Sequence, residues 1–133
     1  KIMIKSKIPI WIYLLQGLLC LILAQQAFSY YQFNYWGEIA STDSEKRELL
    51  ELAGRTLAML IVGIFVMISR NPHYFVVLFI LNIVRETNET FVDTNYETDK
   101  SPIVNILVHL VIISLEVWAL VKAYKVSKIQ ANQ

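Results

Sequence analysis

Cysteine, glycine and charge are all scarce in this chain of 133 residues. The single cysteine, Cys20, excludes a disulfide framework, a CxxC redox centre and a cysteine-based zinc site. Only 17% of the residues are charged, against roughly 25% in an average soluble domain. Because 56% of the residues are hydrophobic, the composition excludes a water-soluble monomer, a disordered chain and a collagen-like repeat.

Four apolar runs predict an all-α fold, an integral membrane four-helix bundle with up-down-up-down topology. Each run has the roughly 20 residues that a helix needs to cross about 30 Å of hydrocarbon. Helices satisfy their own backbone hydrogen bonds, which lipid cannot do. The prediction is a single membrane domain over residues 1–133, with spans at about 8–31, 49–69, 73–93 and 103–124 and outer loops at about 32–48 and 94–102.

Charges of opposite sign are segregated along the chain. The N-terminal segment, the turn around Arg70 and the C-terminal tail contain lysine or arginine and no acid. Every acid except Glu116 lies in or beside the other two connections. Because lysine and arginine mark the cytoplasmic side of a membrane, we expect both termini in the cytoplasm and both acidic loops outside. The basic residues are then membrane flanks, so no nucleic-acid partner is expected.

The first apolar run also has the basic start and apolar centre of a signal peptide. However, the run is long, and the segment Ala24–Ala27 does not match the small-x-small cleavage pattern. We therefore expect a retained span. Short loops and the lack of a targeting signal favour the bacterial cytoplasmic (inner) membrane.

Local signals predict where three helices begin. The sequence Thr42–Glu45 fits a capping box, which predicts that the second helix starts near Asp43. Pro72 and Pro102 suit the first turns of the third and fourth helices.

Ionisable side chains inside a bilayer cost about 2.5–3.5 kcal/mol each, so each one needs a reason. In the third helix, helical spacing places one stripe of polar residues, which comprises Asn82, Arg85 with Glu86, Glu89 and Asp93. We expect this stripe to meet polar residues of other helices in the outer half of the bundle. The predicted polar intramembrane cluster is Glu51, Arg55, Asn82, Arg85, Glu86, Glu89, Asn105 and His109.

Three interpretations of this cluster stay open. It can be structural, with arginines and glutamates pairing to hold helices together. It can be a water-accessible pocket for an anionic headgroup or small solute, because two arginines and a histidine suit carboxylate or phosphate. It can also be a metal site built from Glu86, Glu89 and His109, although one histidine is few for a transition metal.

A second polar feature lies deeper. Glu116 is expected about 20 Å from the outer end of its helix, with Gln16 at a similar depth in the first helix. Glu116 can be a protonated carboxyl that is hydrogen-bonded to Gln16, Asn82 or Ser114. Alternatively, Glu116 and Gln16 are candidates for a proton-coupling site.

Scattered residues carry a family resemblance: Gly54–Arg55, Gly63, Pro72, Arg85, Asp93 and Leu115–Val117 around Glu116. In these the chain resembles the DoxX-like group of small bacterial four-helix membrane proteins. The resemblance implies an integral four-helix fold. It implies little about activity, because the group is functionally diverse, and no catalytic role is carried over.

No GxGxxG, P-loop, HExxH or Ser/His/Asp order occurs. Together with an aromatic, acidic outer loop at 30–38, this predicts a non-enzymatic binding or accessory subunit of a membrane assembly. The alternatives are a small proton-coupled transporter or channel using Glu116 and His109, and a membrane enzyme acting on lipid. No cofactor is expected. The expected partners are the lipid bilayer, other membrane-protein subunits or further copies of the chain, and a lipid or small anionic ligand.

Overall fold

A computed structural model of the protein describes residues 7–35, 37–95 and 102–132, with side chains for 7–35, 37–91 and 106–132. Across these residues the chain forms four helices and one short hairpin, which confirms the predicted all-α class. The elements are α1 (Ile10–Tyr31), β1 (Asn34–Tyr35), β2 (Glu38–Ile39), α2 (Asp43–Ser69), α3 (Pro72–Asn95) and α4 (Pro102–Ala131).

Three stretches of helix in the described chain are long and apolar enough to cross a membrane: α1, α2 and Ile106–Ala131 of α4. In an apolar 18-residue segment of each of these stretches, only 33%, 22% and 17% of the chain is buried, in that order. Apolar side chains that face outward in this proportion need lipid around them, so the chain has the character of a membrane protein. Helix α3 is not among the three, because Arg85, Glu86 and Glu89 interrupt its apolar sequence.

The chain divides into two compact units, each built on a pair of contacting helices. The first unit, Pro9–Ser69, contains α1, the β-hairpin and α2. The second unit is built on α3 and α4.

In the first unit, α1 buries a stripe that recurs every three or four residues, as one face of a helix does. Gly63 of α2 lies against this stripe: a Cβ there would be 2.6 Å from Gln16 Nε2 and 3.1 Å from Cys20 Sγ. The absent side chain therefore allows α1 and α2 to approach closely. The buried residues of α1 are Ile12, Gln16, Leu19, Cys20, Leu23, Ala27 and Tyr30.

The connection between α1 and α2 contains a β-hairpin that the sequence analysis treats only as an outer loop. Its antiparallel strands pair Asn34 with Ile39 and Tyr35 with Glu38. Gly37 turns the chain with a φ of 93°, and its N–H donates to the Asn34 side chain at 2.9 Å. Strands of two residues are too short to show an alternating pattern, so the sequence carried no signal for them.

The capping box at the start of α2 is confirmed. The Thr42 hydroxyl accepts a hydrogen bond from the Glu45 N–H at 3.2 Å. In return, Glu45 Oε2 accepts from the N–H groups of Ser41 and Thr42 at 2.9 and 3.2 Å. Because these bonds satisfy backbone donors that the first turn leaves unpaired, α2 begins at Asp43 as predicted.

In the second unit, both predicted proline starts are confirmed, since α3 begins at Pro72 and α4 at Pro102. The Asn71 side chain accepts the N–H of His73 at 3.0 Å and so caps α3. Rings of Phe75 and Phe79, both fully buried, stack with centroids 6.0 Å apart. Helix α4 continues past the predicted end of its span at residue 124 and ends at Ala131.

Candidate functional site

Four charged or titratable side chains of the second unit form one hydrogen-bonded network, which we call the hairpin cluster: Arg85, Glu86 and Glu89 of α3 and His109 of α4. Arg85 Nη2 lies 3.1 Å from Glu86 Oε1, and Arg85 Nη1 lies 3.2 Å from Glu89 Oε1. The other oxygen of Glu86, Oε2, lies 3.0 Å from His109 Nδ1. Glu86 therefore connects the two helices.

Helical spacing explains why three of these side chains meet. Arg85 and Glu89 are four residues apart, the separation at which side chains lie one above the other on a helix. Glu86 adjoins Arg85 in sequence and turns its carboxylate toward both Arg85 and α4. The backbone around Glu86 is held as well, since the Thr90 hydroxyl donates to its carbonyl oxygen at 2.7 Å.

The exposure of the side chains differs across the cluster, from nearly buried to partly exposed. The side chain of Glu86 is 7% exposed, that of His109 17%, that of Arg85 22% and that of Glu89 39%. Removing one partner of a buried ion pair leaves an uncompensated charge, at a cost of about 3–5 kcal/mol. The carboxylate of Glu86 therefore depends on Arg85 and His109, whereas Glu89 offers access from outside.

Two carboxylates face one guanidinium in the cluster, so its formal charge is negative whenever the imidazole is neutral. Both terminal nitrogens of Arg85 already contact glutamate oxygens. Its buried Nε has no hydrogen-bond partner among the described residues. An added positive charge is therefore better matched to this arrangement than an added anion.

Two further predicted site residues of the second unit are fully buried, Asn82 on α3 and Glu116 on α4. Neither carboxylate oxygen of Glu116 has a hydrogen-bond partner within the described chain. Within the second unit, the hydrogen bond predicted from Glu116 to Asn82 or Ser114 is therefore absent, and Gln16 lies in the first unit. Ser114 is exposed and donates to the Leu110 carbonyl of its own helix at 2.7 Å.

Three predicted site residues lie in the first unit. Gln16 is buried, and its Nε2 contacts Cys20 Sγ at 3.5 Å. Glu51 is exposed and pairs with Arg47 at 3.5 Å. Arg55 is exposed on α2. The sequence analysis missed the Arg47–Glu51 pair, although its spacing of four residues was visible.

The side chain of Asn105, the remaining predicted residue, lies outside the described residues.

The three residues named in the metal-site interpretation do come together. One ligand atom from each of Glu86, Glu89 and His109 lies within 4.8 Å of the other two. Two carboxylates and one imidazole are donors that bind divalent transition metals. Arg85 now occupies the carboxylates that a metal would use.

The chain matches no protein-family model, no curated protein and no solved structure. The resemblance to the DoxX-like group accordingly stays a prediction from sequence.

Proposed function

We propose that this chain is a multi-pass membrane protein that acts as a non-enzymatic binding or accessory subunit, with the hairpin cluster as its ligand site. The observation that carries the proposal is the position of Glu86. Its nearly buried carboxylate joins Arg85 on α3 to His109 on α4. The chain has no catalytic motif that would give this network a role in covalent chemistry.

A purely structural role is a weaker explanation of the same network. Interhelical hydrogen bonds in membranes contribute about 0.6 kcal/mol each on average. Replacing a buried ion pair by well-packed apolar residues is often neutral or stabilising. Four interacting polar groups are thus a costly way to join two helices, and a ligand that needs them explains the network better.

The membrane arrangement that we propose is four crossings with both termini in the cytoplasm, in a bacterial inner membrane. Helix α3 is the crossing that composition supports least, since three of its residues are charged within five positions. The pairing of Arg85 with Glu86 and Glu89 supports its insertion. Paired charges cost less in hydrocarbon than isolated ones.

Ligand-dependent thermal stability of the purified chain tests the proposed function. Phosphate, a dicarboxylate, phospholipid headgroups and divalent cations are compared in one detergent. A ligand that binds only the folded protein, present at about 100 times its Kd, adds about 2.7 kcal/mol of stability. We expect one ligand class to raise the Tm of the wild type and to have less effect on Glu89→Gln, and we expect Arg85→Gln to change the size of that effect.

The control is Arg47→Gln, which removes an exposed Arg–Glu pair with the same four-residue spacing. This variant should keep the full ligand response of the wild type. A Tm that no ligand class changes, or that every variant shifts equally, contradicts the proposal. Recovery of the chain from its native membrane as a lone monomer in every mild detergent contradicts the accessory-subunit role.

Glu116 favours a second candidate function, a small proton-coupled transporter or channel. Glu116 is fully buried, and neither of its carboxyl oxygens has a hydrogen-bond partner within the described chain, a setting in which an ionised carboxylate is costly. It lies seven residues from His109, about 10 Å along the same face of α4. A buried carboxyl two turns along the helix from an imidazole provides two groups that can bind and release a proton.

Glu116→Gln tests this candidate, because the amide keeps the size of the side chain and removes its proton. Liposomes containing the wild type and a pH-sensitive dye should show proton flux, and the variant should reduce it to the level of protein-free liposomes. Glu51→Gln, an exposed glutamate on α2, is the control and should leave the flux unchanged. Equal flux in Glu116→Gln and wild type would remove the candidate.

A further inference from the structure

The geometry points to a divalent transition-metal cation as the ligand of the hairpin cluster, bound by Glu86, Glu89 and His109. This inference rests on the proposed function and names the chemistry of its ligand. The donor atoms come from two helices and lie within 4.8 Å of one another. Glu86 Oε2 and His109 Nδ1 are 3.0 Å apart. Neighbouring ligand atoms around a tetrahedral zinc ion, at 2.0–2.1 Å from the metal, are separated by about 3.3 Å.

The charges of the cluster fit a cation. Arg85 is the positive group now held between the carboxylates, with Nη1 on Glu89 and Nη2 on Glu86. It balances only one of the two negative charges. A metal ion would take over both carboxylates, so Arg85 acts as an internal competitor that offsets one of the two negative charges when no metal is bound.

An anion fits the same atoms less well. Both terminal nitrogens of Arg85 lie on glutamate oxygens, so an anion that bound Arg85 would lie beside two carboxylates. Like charges at such a separation repel strongly in a site of low dielectric. A cation is attracted by both carboxylates and has to displace only Arg85 from them.

The donor set also selects among cations. Calcium, magnesium and manganese prefer oxygen ligands, whereas an imidazole nitrogen suits zinc, copper, iron and nickel better. His109 must be neutral to coordinate, so binding weakens as the imidazole is protonated. Glu89, the most exposed member, gives the ion a way in from outside.

Cobalt(II) titration of the purified full-length chain tests the inference, because the visible absorption of cobalt reports nitrogen and oxygen ligation. We expect one saturable site, and zinc should displace the cobalt. His109→Ala and Glu89→Gln should each weaken binding by about tenfold or more. Arg85→Gln should tighten binding several-fold, since it removes the internal competitor.

Matched controls separate this site from adventitious binding. His73 is the other histidine of the chain and is exposed at the start of α3, so His73→Ala should leave cobalt binding unchanged. Glu48→Gln, at an exposed position of α2, should also leave cobalt binding unchanged. Circular dichroism and size-exclusion profiles confirm that each variant is folded, and the partly exposed Glu89 is the ligand whose loss perturbs the fold least.

Three outcomes overturn the inference. They are the absence of saturable cobalt or zinc binding, binding that His73→Ala removes while His109→Ala leaves it intact, and weaker binding in Arg85→Gln. If phosphate or a headgroup stabilises the chain through Arg85 instead, the metal inference fails while the proposed binding function stands. If no ligand of any class changes the Tm, both fail.

Discussion

Gly63 shows how one absent side chain sets the distance between two helices. It faces the buried side chains of Gln16 and Cys20, and Gln16 Nε2 occupies the space that a Cβ would need. The amide of Gln16 is 1% exposed and contacts Cys20 Sγ, so it has little room to move away. The polar residue proposed for a role in proton coupling is thus also a packing residue of the first unit.

Gly63→Ala should therefore destabilise the first unit by about 1–3 kcal/mol, the usual range for overpacking. Gly54→Ala in the same helix is the matched control, since a Cβ there meets nothing within 4 Å. That change should be neutral or stabilising by up to about 1 kcal/mol, because alanine favours a helix more than glycine does. Unfolding in detergent measures both, and equal midpoints for the two variants would contradict this account of Gly63.

At the scale of the helices, local sequence predicted much of what the structure contains. Apolar runs identified all four helices, because hydrophobicity over about 20 residues depends on composition alone. The capping box and two prolines predicted three helix starts, because backbone donors at a helix start are satisfied by residues one to three positions away. The start of α2 at Asp43 needs only Thr42 and Glu45.

The candidate site was predictable where it depends on one helix. Helical spacing alone brings Arg85 to Glu89, and the structure shows that contact. The contact of Glu86 with His109 joins two helices, and its register depends on how α3 and α4 pack, which the spacing within one helix does not encode. Glu51 forms its ion pair with Arg47, which lies four residues away on the same helix, so this contact also depends on one helix alone.

The hairpin between α1 and α2 was not predictable for a related reason. Its two-residue strands gain stability from contacts with other elements, such as the stacking of Tyr35 on Tyr30 with ring centroids 5.8 Å apart. An isolated hairpin of this length would not be stable in water. It forms here because the ends of α1 and α2 provide an apolar surface, which comprises Tyr30, Leu49 and Ala53.

At the scale of the whole molecule, the number of membrane crossings depends on α3. Three isolated charges on this helix would cost about 8–10 kcal/mol on insertion scales. The ion pairs of Arg85 with Glu86 and Glu89 reduce that cost, because opposite charges in contact replace part of the lost hydration. The apolar first half of α3, with buried Phe75, Leu78 and Phe79, favours insertion as well.

Labelling of single cysteines in intact cells distinguishes four crossings from three. In a Cys20→Ser background, Ser41→Cys lies in the outer connection, His73→Cys at the start of α3 and Asn132→Cys after α4, all at exposed positions. With four crossings, a membrane-impermeant maleimide labels only Ser41→Cys until the membrane is permeabilised. If α3 stays out of the membrane, the chain crosses three times and its C-terminus moves to the outer side. Labelling of Asn132→Cys from outside would therefore exclude the four-crossing arrangement, because the positions of both termini follow from whether an even or odd number of helices spans the bilayer.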